Sequence, residues 1–320
     1  MRMLVAIDGS ESATRAIHLI ASIPRLDDCL VRLVSVAPNR SEILGVPWGK
    51  AIPPDAAALE ASVVGAQRAV LDDARREIGS ARADLVVETV LARGRAASTI
   101  VEQAREMEAD LVVVGHRGMG EWEARLLGSV SAEVVDHAPC PVLVVRDDQL
   151  GPVVLAVDGS APAQAAEAVV GWQLFAGLPV TVVTVVDGGF PYAAAVAPPL
   201  YAESVTAFTA ALEAERLGRA ADCEAAVARL RSGGATAEAD VRTGDPAHEI
   251  VACARERAAS VIVIGSRGQT GMRRLVLGSV ARGVLLQAPC SVLIVHDGAR
   301  FDRERTDHRV GEREVVGAFG

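Results

Sequence analysis

The stretch "GHRGMGEWEARLLGS" runs from Gly115 to Ser129, and "GSRGQTGMRRLVLGS" runs from Gly265 to Ser279. Both read glycine, two residues, glycine, nine residues, then Gly-Ser, and both follow a short apolar run, "LVVV" or "VIVI". Glycine at such points serves a sharp turn or a close approach of the backbone to something else. A loop leading from a strand end to a helix start aims backbone N–H groups at one place, where the positive end of the helix dipole also points. Phosphate suits that arrangement. Ser129 and Ser279 stand where a hydroxyl either caps the helix or donates to a phosphate oxygen. The competing reading is a plain tight turn with a serine N-cap, and a short glycine pattern alone does not separate the two. Two better-defined phosphate motifs drop out: no GxxxxGK followed by Ser or Thr occurs, and no GxGxxG follows the first strand of either half.

Other reactive side chains offer less. His116 lies inside the first glycine loop where Ser266 stands in the second, so it reads as a surface histidine without a repeated role. Arg117 and Arg267 share one place between the first two glycines, as phosphate contacts or as solvated turn residues. Cys29, Cys140, Cys223, Cys253 and Cys290 are odd in number and widely spaced, which fits neither a disulfide framework nor a CxxC metal site. Cys140 and Cys290 read as small buried residues before the last strand of each half.

The elements that must position the glycine loops come from a duplication. "LVAIDGS" ends at Ser10 and "VLAVDGS" at Ser160, an offset of 150 that also relates Gly115 to Gly265, Gly128 to Gly278 and Cys140 to Cys290. Each half shows five aliphatic runs: Met3–Ile7, Leu30–Val36, Leu85–Val90, Leu111–Val114 and Val142–Val145, then Val153–Val157, Val180–Val186, Ala237–Val241, Val261–Ile264 and Val292–Val295. Near-continuous Val, Ile and Leu predict parallel strands covered on both faces. Segments such as "ASTIVEQAREMEA" and "AHEIVACARERAA" predict helices between them, hence βαβ units and a doubly wound sheet. The halves are expected at residues 1–147 and 152–297, joined by "RDDQLGP", with a charged, flexible tail over 298–320. The Pro/Gly-rich segments 37–56 and 187–200 are either binding lids or plain connections.

Composition narrows the function classes. Half of the 320 residues are hydrophobic and only 3% are aromatic, so the core is aliphatic. A net charge of −9 argues against a nucleic-acid partner or an anionic membrane surface. Only Lys50 is a lysine, which removes lysine-centred phosphate chemistry. The apolar stretch Val169–Val186 is broken by Gln173, Gly177 and Pro179, so it reads as a helix end and a strand, not a membrane span. With no signal-peptide pattern at "MRMLVAIDGS", the expected location is cytoplasmic.

A unit that opens "AIDGS", carries G-x2-G-x9-G-S after its fourth strand and closes "VVDHAPCPVLVV" resembles the universal stress protein family. Two such units resemble its tandem members, and the likeness covers about residues 1–297. The resemblance implies an α/β fold of two Rossmann-like (adenine nucleotide alpha hydrolase-like) domains, each a five-stranded parallel sheet of order 3-2-1-4-5 with helices on both faces. Similarity to the ATP-binding branch implies ATP with Mg2+ in each half. Asp8 and Asp158 then match the acidic residue near the ribose, and Val36 and Val185 match the strand-two position whose backbone meets adenine. Gly115, Gly118, Gly128 and Ser129, with Gly265, Gly268, Gly278 and Ser279, match the phosphate loops. In that order strands one and four flank the switch point where ligands bind. The alternative for both aspartates is a helix N-cap.

The function expected is nucleotide-linked stress adaptation through conformation or an unidentified protein partner. A slow ATPase and a nucleotide-independent interaction protein are the alternatives, the first weakened because no repeated general base stands beside the loops. The last strands, "PVLVV" and "SVLIV", lie at sheet edges that invite pairing, and the resemblance implies that they meet as an intramolecular pseudo-dimer, with homodimers of tandem chains expected beyond that. The sites are expected to be unequal. Arg117 and Arg125 oppose Glu121 and Glu123 in the first motif, whereas Arg267, Arg273 and Arg274 face no acid in the second.

Overall fold

A computed structural model describes residues 1–24, 26–39, 56–118, 127–187, 202–268 and 277–296. The first half runs β1 (Arg2–Ala6), α1 (Glu11–Ser22), β2 (Leu30–Ala37), α2 (Ala56–Ala81), β3 (Val86–Arg93), α3 (Ala96–Glu106), β4 (Leu111–Gly115), α4 (Ser129–His137) and β5 (Val142–Val145). The second runs β6 (Val153–Ala156), α5 (Ala161–Val170), β7 (Val180–Asp187), α6 (Ala202–Ser232), β8 (Ala237–Gly244), α7 (Pro246–Glu256), β9 (Val261–Gly265), α8 (Ser279–Gln287) and β10 (Ser291–Val295). All ten aliphatic runs are strands. The stretch Val169–Val186 divides into the end of α5, a 3-10 turn over Gln173–Phe175 and β7. Among the described residues, no helix is long and apolar enough to cross a membrane.

The strands do not form two separate parallel sheets. They join in one ten-stranded mixed sheet of order β3-β2-β1-β4-β5-β10-β9-β6-β7-β8. Each half keeps the 3-2-1-4-5 order, and the seam is the antiparallel pair β5·β10, with Leu143 opposite Leu293. Those two residues differ by the repeat offset, 293 − 143 = 150, so a pseudo-two-fold axis passes through the pair. The predicted meeting of edge strands is therefore present within the chain. Val142, Val144, Val292 and Ile294 are fully buried, which gives the seam an apolar face of its own.

Two aliphatic layers sandwich the sheet. One packs α1, α2, α5 and α6 on one face, and the other packs α3, α4, α7 and α8 on the opposite face; both layers run through the seam. Covering on both faces holds for the central strands but not at β3 and β8. Val86 is 61% exposed, and Glu88 on β3 pairs with Arg32 at 2.9 Å. These outer strands also outlast their apolar runs, because the backbone ladder continues past Val90 to Arg93 in β3 and past Val241 to Gly244 in β8. Charge on an edge strand discourages pairing with foreign strands.

The repeat offset is not uniform. Ala6 lies opposite Val34 and Ala156 opposite Val183, so β7 sits at an offset of 183 − 34 = 149. This makes Val185, not Val186, the counterpart of Val36; the two lie opposite Arg242 and Ala92, which are themselves 150 apart.

Candidate functional site

β1 lies between β2 and β4, so the chain leaves the sheet to opposite sides at the carboxyl ends of β1 and β4. Asp8 follows β1 and Gly115 ends β4, which brings the two sequence motifs to one crevice. Asp8 Oδ1 accepts the Ser10 N–H at 2.9 Å, and Asp158 Oδ1 accepts that of Ser160 at 3.0 Å. The other carboxylate oxygen turns to the glycine loop. A Cβ built on Gly118 would lie 2.9 Å from Asp8 Oδ2, and one on Gly268 would lie 2.7 Å from Asp158 Oδ2. Aspartate and second glycine thus adjoin in both halves.

The N-cap alternative for the aspartates fails. Ser10 and Ser160 are the N-caps of α1 and α5, their hydroxyls accepting from the Ala13 and Ala163 N–H groups. Each hydroxyl also lies within donating distance of the loop, at the Arg117 carbonyl (3.3 Å) or the Arg267 carbonyl (3.4 Å). The cap reading of Ser129 and Ser279 fails as well. Gly128 and Gly278 take the N-cap positions of α4 and α8, leaving each serine as the first helical residue. The Gly128 N–H donates to the His116 carbonyl at 2.8 Å, and the Gly278 N–H to the Ser266 carbonyl at 2.8 Å. Both ends of each motif therefore return to one point, beside the dipole of the helix that follows.

Gly115 and Gly265 are glycine for a different reason. A Cβ on Gly115 would stand 2.7 Å from Ser12 Cβ, and one on Gly265 would stand 2.8 Å from Pro162 Cβ. Close packing of α1 on β4, and of α5 on β9, demands the bare backbone. Val36 and Val185 end the adjoining strands at the same edge of the sheet, each partly exposed between buried neighbours. The Val36 carbonyl accepts from Gln67 Nε2 at 3.1 Å, a contact made from α2.

Several residues near the site carry no sequence signal. His116 is not a plain surface histidine: its ring is half-buried, with Nδ1 3.0 Å from Ser12 Oγ. Burial, followed by the nearby Arg146 and Arg117, pulls its imidazole down to about 4. Ser131 Oγ donates to the Gly115 carbonyl at 2.6 Å and steadies the head of the first loop, but Ala281 replaces it in the second half. Arg219 Nη1 donates to the Asp158 carbonyl at 2.5 Å, bringing a cation to the second crevice from the long helix α6. Its position shows no motif, so only the packing of α6 reveals it. All five cysteines are buried, and burial pushes Cys140 and Cys290 up to about 12, as inert thiols require. Glu121, Glu123, Arg125, Arg273 and Arg274, on which the expected inequality rests, lie outside the described residues, as do residues 40–55, 188–201 and 298–320.

Comparison with known proteins agrees with this architecture. The family model described as "Universal stress protein family" matches residues 1–146 and again 150–296. The universal stress protein Rv2623 of Mycobacterium tuberculosis is 28% identical over 318 residues, covering 92% of this chain and 96% of that protein. Among solved structures, a universal stress protein from Archaeoglobus fulgidus superposes with a TM-score of 0.65 at 19% identity, over 93% of this chain and 96% of its own. A putative universal stress protein from Pseudomonas aeruginosa superposes at 0.57 with 18% identity, covering 92% of both chains; at these identities the likeness speaks for the fold. With its model matched twice along nearly the whole chain, this protein belongs to the universal stress protein family, as a tandem member with two such units.

Proposed function

We propose that each half binds ATP with Mg2+, and that occupancy sets the conformation or partner binding by which the protein serves stress adaptation. The observation that carries this reading is the repeated crevice in which Gly118 adjoins Asp8 and Gly268 adjoins Asp158. A side chain there would press on the carboxylate, and both copies have glycine. Gly118, Gly128 and Ser129 would hold the phosphates of the first nucleotide, with Asp8 toward the ribose and the Val36 backbone toward adenine. Gly268, Gly278, Ser279, Asp158 and Val185 would do the same in the second half. Gly115 and Gly265 support the loops through packing. The nucleotide would supply a charged phosphate chain with its own divalent cation, held by loops and helix dipoles that favour anions.

The test is Gly118→Glu combined with Gly268→Glu, which puts a carboxylate in each crevice against an existing one. Calorimetry with ATP and Mg2+ should show binding to the parent and none to the folded double variant. Unchanged affinity would overturn the phosphate assignment. Each substitution alone leaves one site to measure. The second half should bind about tenfold more tightly, the effect of three charges worth ~0.5 kcal/mol each at roughly 8 Å.

A further inference from the structure

The helices that complete each phosphate motif, α4 and α8, have an unusual far end. In a continuous helix the Val135 carbonyl would accept from the N–H of residue 139, and the Leu285 carbonyl from that of residue 289. Both positions are proline, Pro139 and Pro289, which have no N–H to give. The chain also leaves the helix there, with Ala138 and Ala288 extended at ψ of 144° and 135°. The proline of the repeated "APC" therefore denies an internal partner to one buried helix carbonyl in each half.

The missing donor comes from the other half. Arg146 Nη2 donates to the Leu285 carbonyl at 2.6 Å, and His296 Nε2 donates to the Val135 carbonyl at 2.7 Å. The two bonds are related by the pseudo-two-fold, since 285 − 135 = 150 and 296 − 146 = 150. Each donor also sits at the head of its own glycine loop. Arg146 directly follows Val145, whose carbonyl accepts the His116 N–H at 3.1 Å; His296 directly follows Val295, whose carbonyl accepts the Ser266 N–H at 2.7 Å. The chain of contact thus runs from the start of one motif, across the seam, to the helix whose N-terminus completes the other.

We propose that Arg146 and His296 are positioning residues that act across the seam, each anchoring the motif helix of the opposite half and so tuning phosphate affinity there. The two anchors differ. A guanidinium on the C-terminal turn of α8 is a charge-assisted bond aligned with the helix dipole, whereas His296 gives α4 a single imidazole N–H. The second motif helix is the more firmly held.

The anchor itself is read by hydrogen exchange on the full chain. Arg146→Met should speed exchange of the last amides of α8 about tenfold and leave α4 unchanged, and His296→Ala should do the reverse. Arg146→Lys, which restores a charged donor, should recover most of the protection. Unchanged exchange in α8, or equal acceleration in both helices, overturns the proposal. The effect on affinity rests on the nucleotide reading and is measured separately, with ATP and Mg2+, in the Gly118→Glu background where only the second site remains. There Arg146→Met should weaken binding roughly three- to tenfold, as loss of one charge-assisted hydrogen bond predicts. Faster exchange in α8 with unchanged affinity refutes the tuning. Absence of binding in the parent refutes the nucleotide reading instead, and the exchange pattern still decides the anchor.

Discussion

His116 shows how strongly one residue depends on its surroundings. Its imidazole meets Ser12, lies beside Arg146 and Arg117, and is pulled from the ordinary 6.5 to about 4. Between those values the unfolded chain takes up a proton that the folded one refuses. Stability from this group is therefore complete above pH 6.5 and falls progressively as the pH drops toward 4. Because the ring is only half-buried, solvent screening reduces the effect to about 1–2 kcal/mol. His116→Ser, which installs the residue found at the equivalent position 266, should remove that acid sensitivity. In urea titrations near neutrality and near pH ~4.5, the variant should gain about 1–2 kcal/mol on the parent as acid is added. A constant difference between the two proteins would show that His116 is not the group that titrates.

Glycines that look alike in the motif separate at the scale of elements. Gly115 lets β4 approach α1, where a methyl group would stand 2.7 Å from Ser12 Cβ and 3.0 Å from the Ser12 carbonyl carbon. Neither element can yield without disturbing the layer behind it, so Gly115→Ala should cost about 1–3 kcal/mol of stability. Among the described residues Gly118 borders the far end of the Asp8 side chain and no backbone of another element. Gly118→Ala should stay within about 0.5 kcal/mol of the parent. Chemical denaturation of the two variants makes the comparison, and equal losses would mean that the crevice at Asp8 is closed by packing.

The whole molecule is governed by its seam. β5 and β10 pair through backbone bonds and bury Val142, Val144, Val292 and Ile294, so cutting the chain between the halves would expose two apolar edges. Each half expressed alone, residues 1–147 or 152–297, should pair with its own copy through the same register, because the seam is already self-complementary about Leu143 and Leu293. Sedimentation should find dimers of each half, and two monomeric halves at concentrations of about 100 μM would show that the seam forms only when the link holds it together.

Much of this protein is legible in residues read in order. The duplication and the ten strands follow from local pattern, since aliphatic runs and glycine spacing act over a few residues, whereas the meeting of strand edges was implied by the family resemblance. The outer strands are the partial exception, because a backbone ladder continues where an apolar run stops. Other features were decided by contacts between residues distant along the chain, from 61 positions for Arg219 and Asp158 to 161 for His296 and Val135. Packing of α1 on β4 divides Gly115 from Gly118. The approach of α6 adds Arg219 to the second crevice. The same holds across the seam: Pro139 and Pro289 are plain in the sequence, but only the fold places Arg146 and His296 against the carbonyls those prolines leave without a donor.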